Sequence, residues 1–156
     1  MKLVLKITLL FLLFLQNIHS FSQSNTSKYI QEAHIVSTSW LNDMNEGKVG
    51  KCYKNLSNEV RILYDSISWC AYAIQINKEF GEKKKRLLTN AEFHSSLQGM
   101  EDGFYVTVSY DAKFKNTLLF KETVILKQDD QAKWRILDYS YEYQLKQDND
   151  PTIKEK

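Results

Sequence analysis

The stretch GFYVTVSYDAKF, residues 103–114, alternates apolar and polar side chains over nearly its whole length. Alternation with a period of two predicts a β-strand with one buried face and one solvent-facing side. Short polar turns separate it from two further segments of this kind, Leu118–Lys127 and Trp134–Tyr143. A weaker strand is expected within Arg86–Phe93. Because short turns join antiparallel neighbours, the second half of the chain predicts a four-stranded antiparallel meander.

The first half of the chain has the period of a helix instead. Apolar residues recur every three or four positions from Tyr29 to Met44, which predicts one helix. The segment Asn58–Phe80 carries two apolar rows, and two rows predict a helix that is covered on a wide arc by the sheet and a neighbouring helix. The rows are Val60, Leu63, Ile67, Cys70 and Ile74, and Ile62, Trp69, Ala73, Ile76 and Phe80. Helices followed by a strand meander predict an α+β domain, with N-terminal helices packed on a bent antiparallel sheet.

The first 22 residues have the three parts of a cleavable export signal. Lys2 and Lys6 give a positive start, residues 7–15 are almost entirely Leu, Ile and Phe, and Ser20 and Ser22 are small residues at a cleavage site. We expect cleavage after Ser22. A retained anchor is the alternative, but the apolar run is shorter than the roughly 20 residues that span a bilayer.

Removal of this leader fixes the expected domain organisation and charge. We predict a signal peptide at residues 1–22, a single domain at 23–146 and a disordered polar tail at 147–156, in an exported bacterial protein that is periplasmic or secreted. The whole chain has 21 basic and 19 acidic residues, and the leader holds two of the basic ones. The remainder is therefore charge-balanced, which argues against a nucleic-acid partner. We also expect no stable membrane anchor after cleavage.

A scattered series of aromatic, glycine and charged residues extends from Ala33 to Tyr143. In chain order it comprises Trp40-Leu41, Gly47, Trp69, Phe80-Gly81, Arg86, Gly103-Phe104-Tyr105, Tyr110, Phe114, Glu122-Thr123-Val124, Trp134-Arg135 and Tyr139. This order and spacing resemble the domain-of-unknown-function family numbered 4019. The resemblance implies an exported bacterial domain with the cystatin-like or nuclear-transport-factor-2-like cone and no assigned activity.

Glu122 is the most informative single residue of the strands. It lies on the apolar face of its segment, so strict alternation turns its carboxylate toward the core. A buried carboxylate must be paired or protonated, and Arg86 and Arg135 are the candidate partners. Three roles stay open: a fixed ion pair that sets strand register, an acid in a pocket, and a bulge that returns the side chain to solvent.

Proteins with this cone architecture use the open end of the sheet as an apolar pocket, which gives a second set of candidates: Asp138, Tyr110, Tyr139 and His94. Alternation in the last strand would turn Asp138 inward, and a solvated strand carboxylate is the alternative. His94 lies in a polar stretch and reads as a loop histidine. The tyrosines at 139, 141 and 143 share one face, which either packs on the helix or contacts a partner.

Cys52 and Cys70 remain after cleavage of the leader. Export permits a disulfide bond between them, which would stabilise the fold by about 3 kcal/mol. Two free thiols that pack as small apolar groups are the alternative. Their separation matches no redox or metal motif, so both readings stay open.

The sequence contains no ligand spacing for a metal and no cofactor fingerprint, so we expect neither. Three classes of function remain. The first is a non-catalytic module that binds a small apolar ligand or another protein. The second is a small enzyme with a carboxylate base in the cone, and the third is a structural domain that forms a homodimer through its sheet.

Overall fold

The computed structural model describes residues 25–146, so the predicted leader and tail lie outside the described residues. Within these residues, four helices precede four strands. The helices are α1 (25–45), α2 (Val49–Lys54), α3 (Asn58–Leu63) and α4 (Ser66–Phe80). The strands are β1 (Lys83–His94), β2 (Tyr105–Phe114), β3 (Thr117–Gln128) and β4 (Trp134–Leu145). They form one antiparallel sheet in the order β1-β2-β3-β4, which confirms the predicted α+β class. The cystatin-like form of the cone stays a prediction.

Local capping determines where the helices begin and end. The predicted segment Asn58–Phe80 is divided into α3 and α4, because the Asp65 side chain accepts hydrogen bonds from the backbone of Ile67 (2.9 Å) and Ser68 (3.0 Å). Gly81 ends α4 with a φ of 72°, in the left-handed region that glycine adopts without strain. None of the helices within residues 25–146 is long and apolar enough to cross a membrane.

The core lies between the helices and one face of the sheet. The strands contribute a continuous set of buried side chains to it: Val106, Val108, Tyr110, Phe114, Phe120, Val124, Leu126, Trp134 and Ile136. Facing them, the helices bury Ala33, Trp40, Leu41, Met44, Ala73, Ile76 and Phe80. At the end of α4, Phe80 packs edge-on against Phe120 at 4.7 Å between ring centroids, within a smaller cluster beside the main core.

Only one of the two apolar rows predicted for α3 and α4 is covered. Ala73, Ile76 and Phe80 are buried, whereas Ile67 and Ile74 are exposed. The prediction of a wide covered arc is therefore wrong. Within the described residues, α4 packs against α2 and, through the Trp40–Trp69 ring contact, against α1, and these contacts leave the side with Ile67 and Ile74 exposed.

A β-bulge at Leu137 changes which side chains of β4 face the core. The register passes from Ile125 opposite Asp138 to Leu126 opposite Ile136, so Leu137 is an extra residue. Trp134 and Ile136 are buried before the bulge, and Tyr139 is the next residue of β4 whose side chain faces the core. Asp138 is exposed. Of the two orientations that the sequence leaves open, the structure has the solvated carboxylate, because strict alternation does not continue across the bulge.

Candidate functional site

A buried polar cluster is centred on Glu122, whose side chain is completely inaccessible to solvent. Arg86 Nε donates to Glu122 Oε2 at 2.5 Å, and Arg86 Nη2 donates to Oε1 at 2.9 Å. The Tyr139 hydroxyl donates to Oε1 at 3.2 Å, and Arg86 Nη2 also donates to Asn45 Oδ1 at 2.9 Å. Both carboxylate oxygens are thus engaged by donors in a bidentate, charge-assisted arrangement.

Strand register brings these residues together. Arg86 in β1 lies opposite Ala112 in β2, which in turn lies opposite Phe120 in β3. Because the alanine side chain is small, the guanidinium passes over β2 and reaches Glu122, two residues further along β3. The cluster therefore links α1, β1, β3 and β4 on the covered face of the sheet. Arg86 Nη1 is buried without a hydrogen-bond partner among the described residues.

Tyr139 is held as a neutral donor in this cluster. Burial raises the pKa of its phenol well above 10, and the nearby negative charge of Glu122 acts in the same direction. Its ring also packs edge-on against Trp40, at 5.4 Å between centroids. Tyr139 therefore joins the polar cluster to the aromatic core of α1.

The second arginine proposed for Glu122 lies elsewhere. Arg135 Nε donates to Asp129 Oδ2 at 2.8 Å, in the turn between β3 and β4. That hydrogen bond lowers the pKa of Asp129, whose other oxygen accepts from the backbone of Gln131 and Lys133. Arg135 is thus a partly exposed residue that stabilises a turn, and it is not part of the buried cluster.

Tyr110 lies directly opposite Glu122 in the register of β2 and β3, but its hydroxyl contacts α1. The Tyr110 hydroxyl is 2.5 Å from Ser37 Oγ and 3.1 Å from Thr38 Oγ1, so it attaches α1 to β2. His94 is the last residue of β1 and pairs with Tyr105. Of the residues singled out in the sequence, Arg86 and Tyr139 therefore hydrogen-bond to Glu122, and Tyr110 is its cross-strand neighbour.

The two cysteines are free thiols, so the disulfide bond that the sequence permitted is not formed. Cys52 Sγ donates instead to the Trp40 carbonyl at 3.5 Å, and Trp40 Nε1 donates to the Cys52 carbonyl at 3.1 Å. This reciprocal contact directs the thiol of Cys52 toward α1. Burial raises its pKa to about 12, so the thiol stays protonated at neutral pH.

An apolar cleft of about 660 Å³ lies between β4 and the α3–α4 corner. Its floor is aromatic, with Trp40 and Trp69 separated by 6.2 Å between ring centroids. The complete lining comprises Trp40, Met44, Leu56, Val60, Leu63, Tyr64, Ser68, Trp69, Tyr72, Ile136, Leu137, Asp138 and Tyr139. Backbone hydrogen bonds from Ser57 to the Ile136 carbonyl (2.7 Å) and from Ile136 to the Asn55 carbonyl (3.0 Å) fix one side of it.

Analogy with the cone architecture gives Asp138, Tyr139, Tyr110 and His94 as pocket candidates. Asp138 and Tyr139 line this cleft, whereas Tyr110 and His94 are not among its lining residues. Sequence reasoning missed the helical part of the lining, including Trp69, Tyr64 and Tyr72. The available signal is the row that begins with Val60 and Leu63, because one sheet face cannot cover two apolar rows of a helix. The sequence predicts that this row is buried, whereas Val60 and Leu63 line an open cleft.

The opposite face of the sheet is polar. A shallow groove of about 520 Å³ crosses it and includes Ser109, Thr123 and Ser140, which lie side by side in the register. Asp111, Lys121 and Glu142 form the neighbouring row. This face presents hydroxyl and charged groups, in contrast to the aromatic cleft.

Fold and site together define a small α+β domain with helices on one face of an antiparallel sheet, an internal Arg86–Glu122 pair and an aromatic cleft beside the last strand. The chain belongs to the family described as Protein of unknown function (DUF4019), whose model matches residues 36–139. The matched span contains the whole buried cluster and the whole cleft lining. No curated protein matches the sequence.

Proposed function

We propose that this protein is a non-catalytic binding module that holds a small apolar or amphipathic ligand in the cleft beside β4. The observation that supports the proposal is the size and lining of the cleft. Ligand sites occupy about 300–1,000 Å³ and combine an apolar, aromatic wall with a few polar groups. The cleft here is about 660 Å³, and its floor contains two tryptophans and Tyr139.

The distribution of polar groups indicates the class of ligand. Trp69 is partly exposed and offers an aromatic surface in the cleft, with the buried ring of Trp40 next to it. Ser68 and Asp138 lie in helix and strand positions exposed to solvent. An apolar body therefore fits the floor, and a hydrogen-bonding head group fits the rim. The carboxylate of Asp138 favours a neutral or cationic head over an anionic one.

The alternative of an enzyme with a carboxylate base has less support. Both oxygens of Glu122 accept hydrogen bonds from Arg86 or Tyr139, so this carboxylate is engaged before any substrate arrives. Asp138 is exposed to solvent at the rim of the cleft. A homodimer through the sheet is also less favoured, because the free face carries Asp111 and Lys121. Because residues 1–22 resemble an export signal, we also propose that the protein is exported to the periplasm or the medium.

The test is saturable binding of N-phenyl-1-naphthylamine, a neutral apolar amine whose fluorescence rises in apolar surroundings. Ser68→Phe places a large ring inside the cleft without removing core atoms, and we expect it to weaken binding by tenfold or more. Ser66→Phe is the matched control, because it adds the same ring in the same turn of α4 but outside the cleft lining. Equal affinity for wild type and Ser68→Phe, or equal losses in the two variants, would contradict the proposal.

A further inference from the structure

The outer edge of β4 is free along most of its length. β4 is the last strand in the order of the sheet, so β3 covers one of its two edges. On the other edge, residues 55–57 cover only the start of the strand, where Leu56 and Ile136 form a parallel bridge. Within residues 25–146, the backbone of residues 137–145 has no hydrogen bond on this side. The open edge therefore begins beside the cleft, whose lining includes four residues of β4.

The strand register shows which backbone groups of β4 are free. Residues in an antiparallel ladder alternate between pairs that exchange hydrogen bonds and pairs that do not. Both backbone groups of Ile136 bond to the segment that precedes α3, so its pair with Leu126 is of the second kind. Tyr139, Tyr141 and Tyr143 lie opposite β3 residues two, four and six positions before that pair. Their N–H and C=O groups therefore also face away from β3, and they form a row of free donors and acceptors.

The two edges of the sheet differ in how they are protected. Edge strands commonly carry lysines and bulges that discourage pairing with another chain. β1, the other edge strand, contains Lys83, Lys84 and Lys85, and its register shifts twice. β4 contains neither lysine nor proline, and its register is continuous from Asp138 to Gln144. The unprotected edge is thus the one that adjoins the cleft.

We propose that this edge binds an extended peptide as a fifth strand of the sheet, with one large side chain of the peptide in the cleft. A polypeptide backbone is the ligand that supplies donors and acceptors at the spacing of the free backbone groups of β4. The inference rests on the proposed binding function of the cleft and names the class of ligand, because the anchoring side chain is the apolar body that the cleft receives.

Strand geometry determines which peptide side chain enters the cleft. An added strand would lie about 4.8 Å from β4, and the side chain opposite Tyr139 would point to the same face as that tyrosine. This is the face on which the helices pack, and there the partly exposed ring of Trp69 lines the cleft. The adjacent peptide residue would lie beside Asp138, which is exposed and has no ion-pair partner within residues 25–146. We therefore expect an aromatic or large aliphatic anchor with lysine or arginine next to it.

Two other polypeptide segments are poorer occupants of the edge. A second copy would bring its own β4, whose inward tyrosines are held within its own fold by contacts such as the hydrogen bond from Tyr139 to Glu122. The tail of the same chain, residues 147–156, has Ile153 as its one large apolar residue, two positions after Pro151. Proline has no backbone N–H to donate. Neither segment combines a free large anchor with a continuous row of backbone donors.

The experiment measures the fluorescence anisotropy of a labelled hexapeptide, Lys-Phe-Lys-Val-Thr-Val, with the chain from Gln23 onward, which contains every contact described above. Two matched peptides have the same sequence but carry N-methyl groups on alternate backbone amides, one on the odd positions and the other on the even positions. Alternate amides of a strand face opposite edges, so one methylated set faces β4 and the other faces solvent. We expect saturable binding of the unmethylated peptide, a loss of roughly tenfold or more for one methylated peptide and a change of less than about threefold for the other.

Variants of the protein test where the peptide lies. Asp138→Lys places a positive charge beside the lysines of the peptide and should weaken binding about fivefold. Asp111→Lys is the matched control, because it makes the same change of charge at an exposed position of β2, two strands away from β4, and it should bind the peptide like wild type. Ser68→Phe fills the cleft and should weaken binding of the peptide and of the dye alike. Equal losses in Asp138→Lys and Asp111→Lys would contradict the position beside β4.

The peptides and the dye together separate the two proposals. Equal affinity for the three peptides, or equal losses in the two methylated ones, would overturn the strand pairing, because the peptide backbone would then not select the site. Dye binding that Ser68→Phe weakens, with no binding of the unmethylated peptide, would refute the strand pairing and leave the proposed function in place. If neither the dye nor the peptide binds, both proposals are wrong. A dimer in solution that does not bind the peptide would assign the edge to a second copy instead.

Discussion

Replacement of Glu122 by Gln removes the negative charge of the buried pair and keeps the volume of the side chain. Arg86 then retains its positive charge with 6 % of its side chain exposed. One of the two guanidinium donors that met a carboxylate oxygen, at 2.5 and 2.9 Å, now meets an amide NH₂ group, which is itself a donor. The substitution therefore leaves both an unpaired buried charge and a repulsive donor–donor contact.

The size of the effect follows from the burial of the pair. Removal of one partner from a buried ion pair typically costs about 3–5 kcal/mol. For a domain of this size, each kcal/mol shifts the melting temperature by about 3 °C, so we expect a decrease of roughly 10 °C or more. Thermal and urea unfolding at neutral pH would measure both quantities.

The matched control is Glu82→Gln. Its pair with Lys84 has the same 2.5 Å separation, but the two side chains are 69 % and 49 % exposed. Exposed pairs of this kind contribute little to stability, because solvent screens the two charges. If Glu122→Gln destabilises the protein no more than Glu82→Gln does, the buried pair does not stabilise the fold in the way argued here. Simultaneous replacement of Arg86 and Glu122 by Met should be less destabilising than Glu122→Gln, since no charge is left behind.

Three further perturbations test other parts of the structure. Iodoacetamide at neutral pH should label Cys70 and spare Cys52 until the chain is unfolded, because burial raises the pKa of Cys52 to about 12. Mass spectrometry would detect the labels. If neither thiol is labelled after unfolding without reductant, the two cysteines form a disulfide bond instead. Gly81→Ala should lower the free energy of unfolding by about 1–3 kcal/mol, because φ is 72° and the new Cβ would lie 3.2 Å from a side chain of the β2–β3 turn. Gly50→Ala in α2 is the control: its Cβ meets nothing within 4 Å, and the variant should be more stable by up to about 1 kcal/mol. In the folded protein Tyr139 keeps its proton above pH 10, whereas in the unfolded chain it loses the proton, so stability falls as pH rises above that value. Tyr139→Phe should reduce this decrease of the free energy of unfolding with pH, measured by urea unfolding. If the dependence on pH is unchanged, the phenol is not buried as described.

Most of the architecture follows from local patterns in the sequence. The alternation over residues 103–114 corresponds to β2 at Tyr105–Phe114, and the predicted last strand Trp134–Tyr143 corresponds to β4 at Trp134–Leu145. Short polar turns then leave an antiparallel order as the simplest connection. The split between α3 and α4 follows from the capping ability of Asp65, which is also a local property.

The partner of Glu122 could not be derived in this way. Alternation indicates that the carboxylate is buried, but it does not distinguish Arg86 from Arg135. That choice depends on Ala112, whose small side chain leaves room for Arg86 to cross β2. Arg135 forms a pair with Asp129 in the adjoining turn, six residues away. The carboxylate of Asp129 is therefore a local signal: because it can pair with Arg135, Arg86 is left as the partner of Glu122.

The bulge at Leu137 connects the buried pair with the cleft. Strict alternation from Ile136 would turn Asp138 toward the core, close to the carboxylate of Glu122, where two buried negative charges repel each other. The extra residue reverses the phase, so Tyr139 points inward and donates to Glu122 while Asp138 moves to the rim. One backbone irregularity therefore satisfies the buried acid and places a free acid at the mouth of the cleft. No periodicity in the sequence reveals a single inserted residue, which is why the sequence leaves both orientations of Asp138 open.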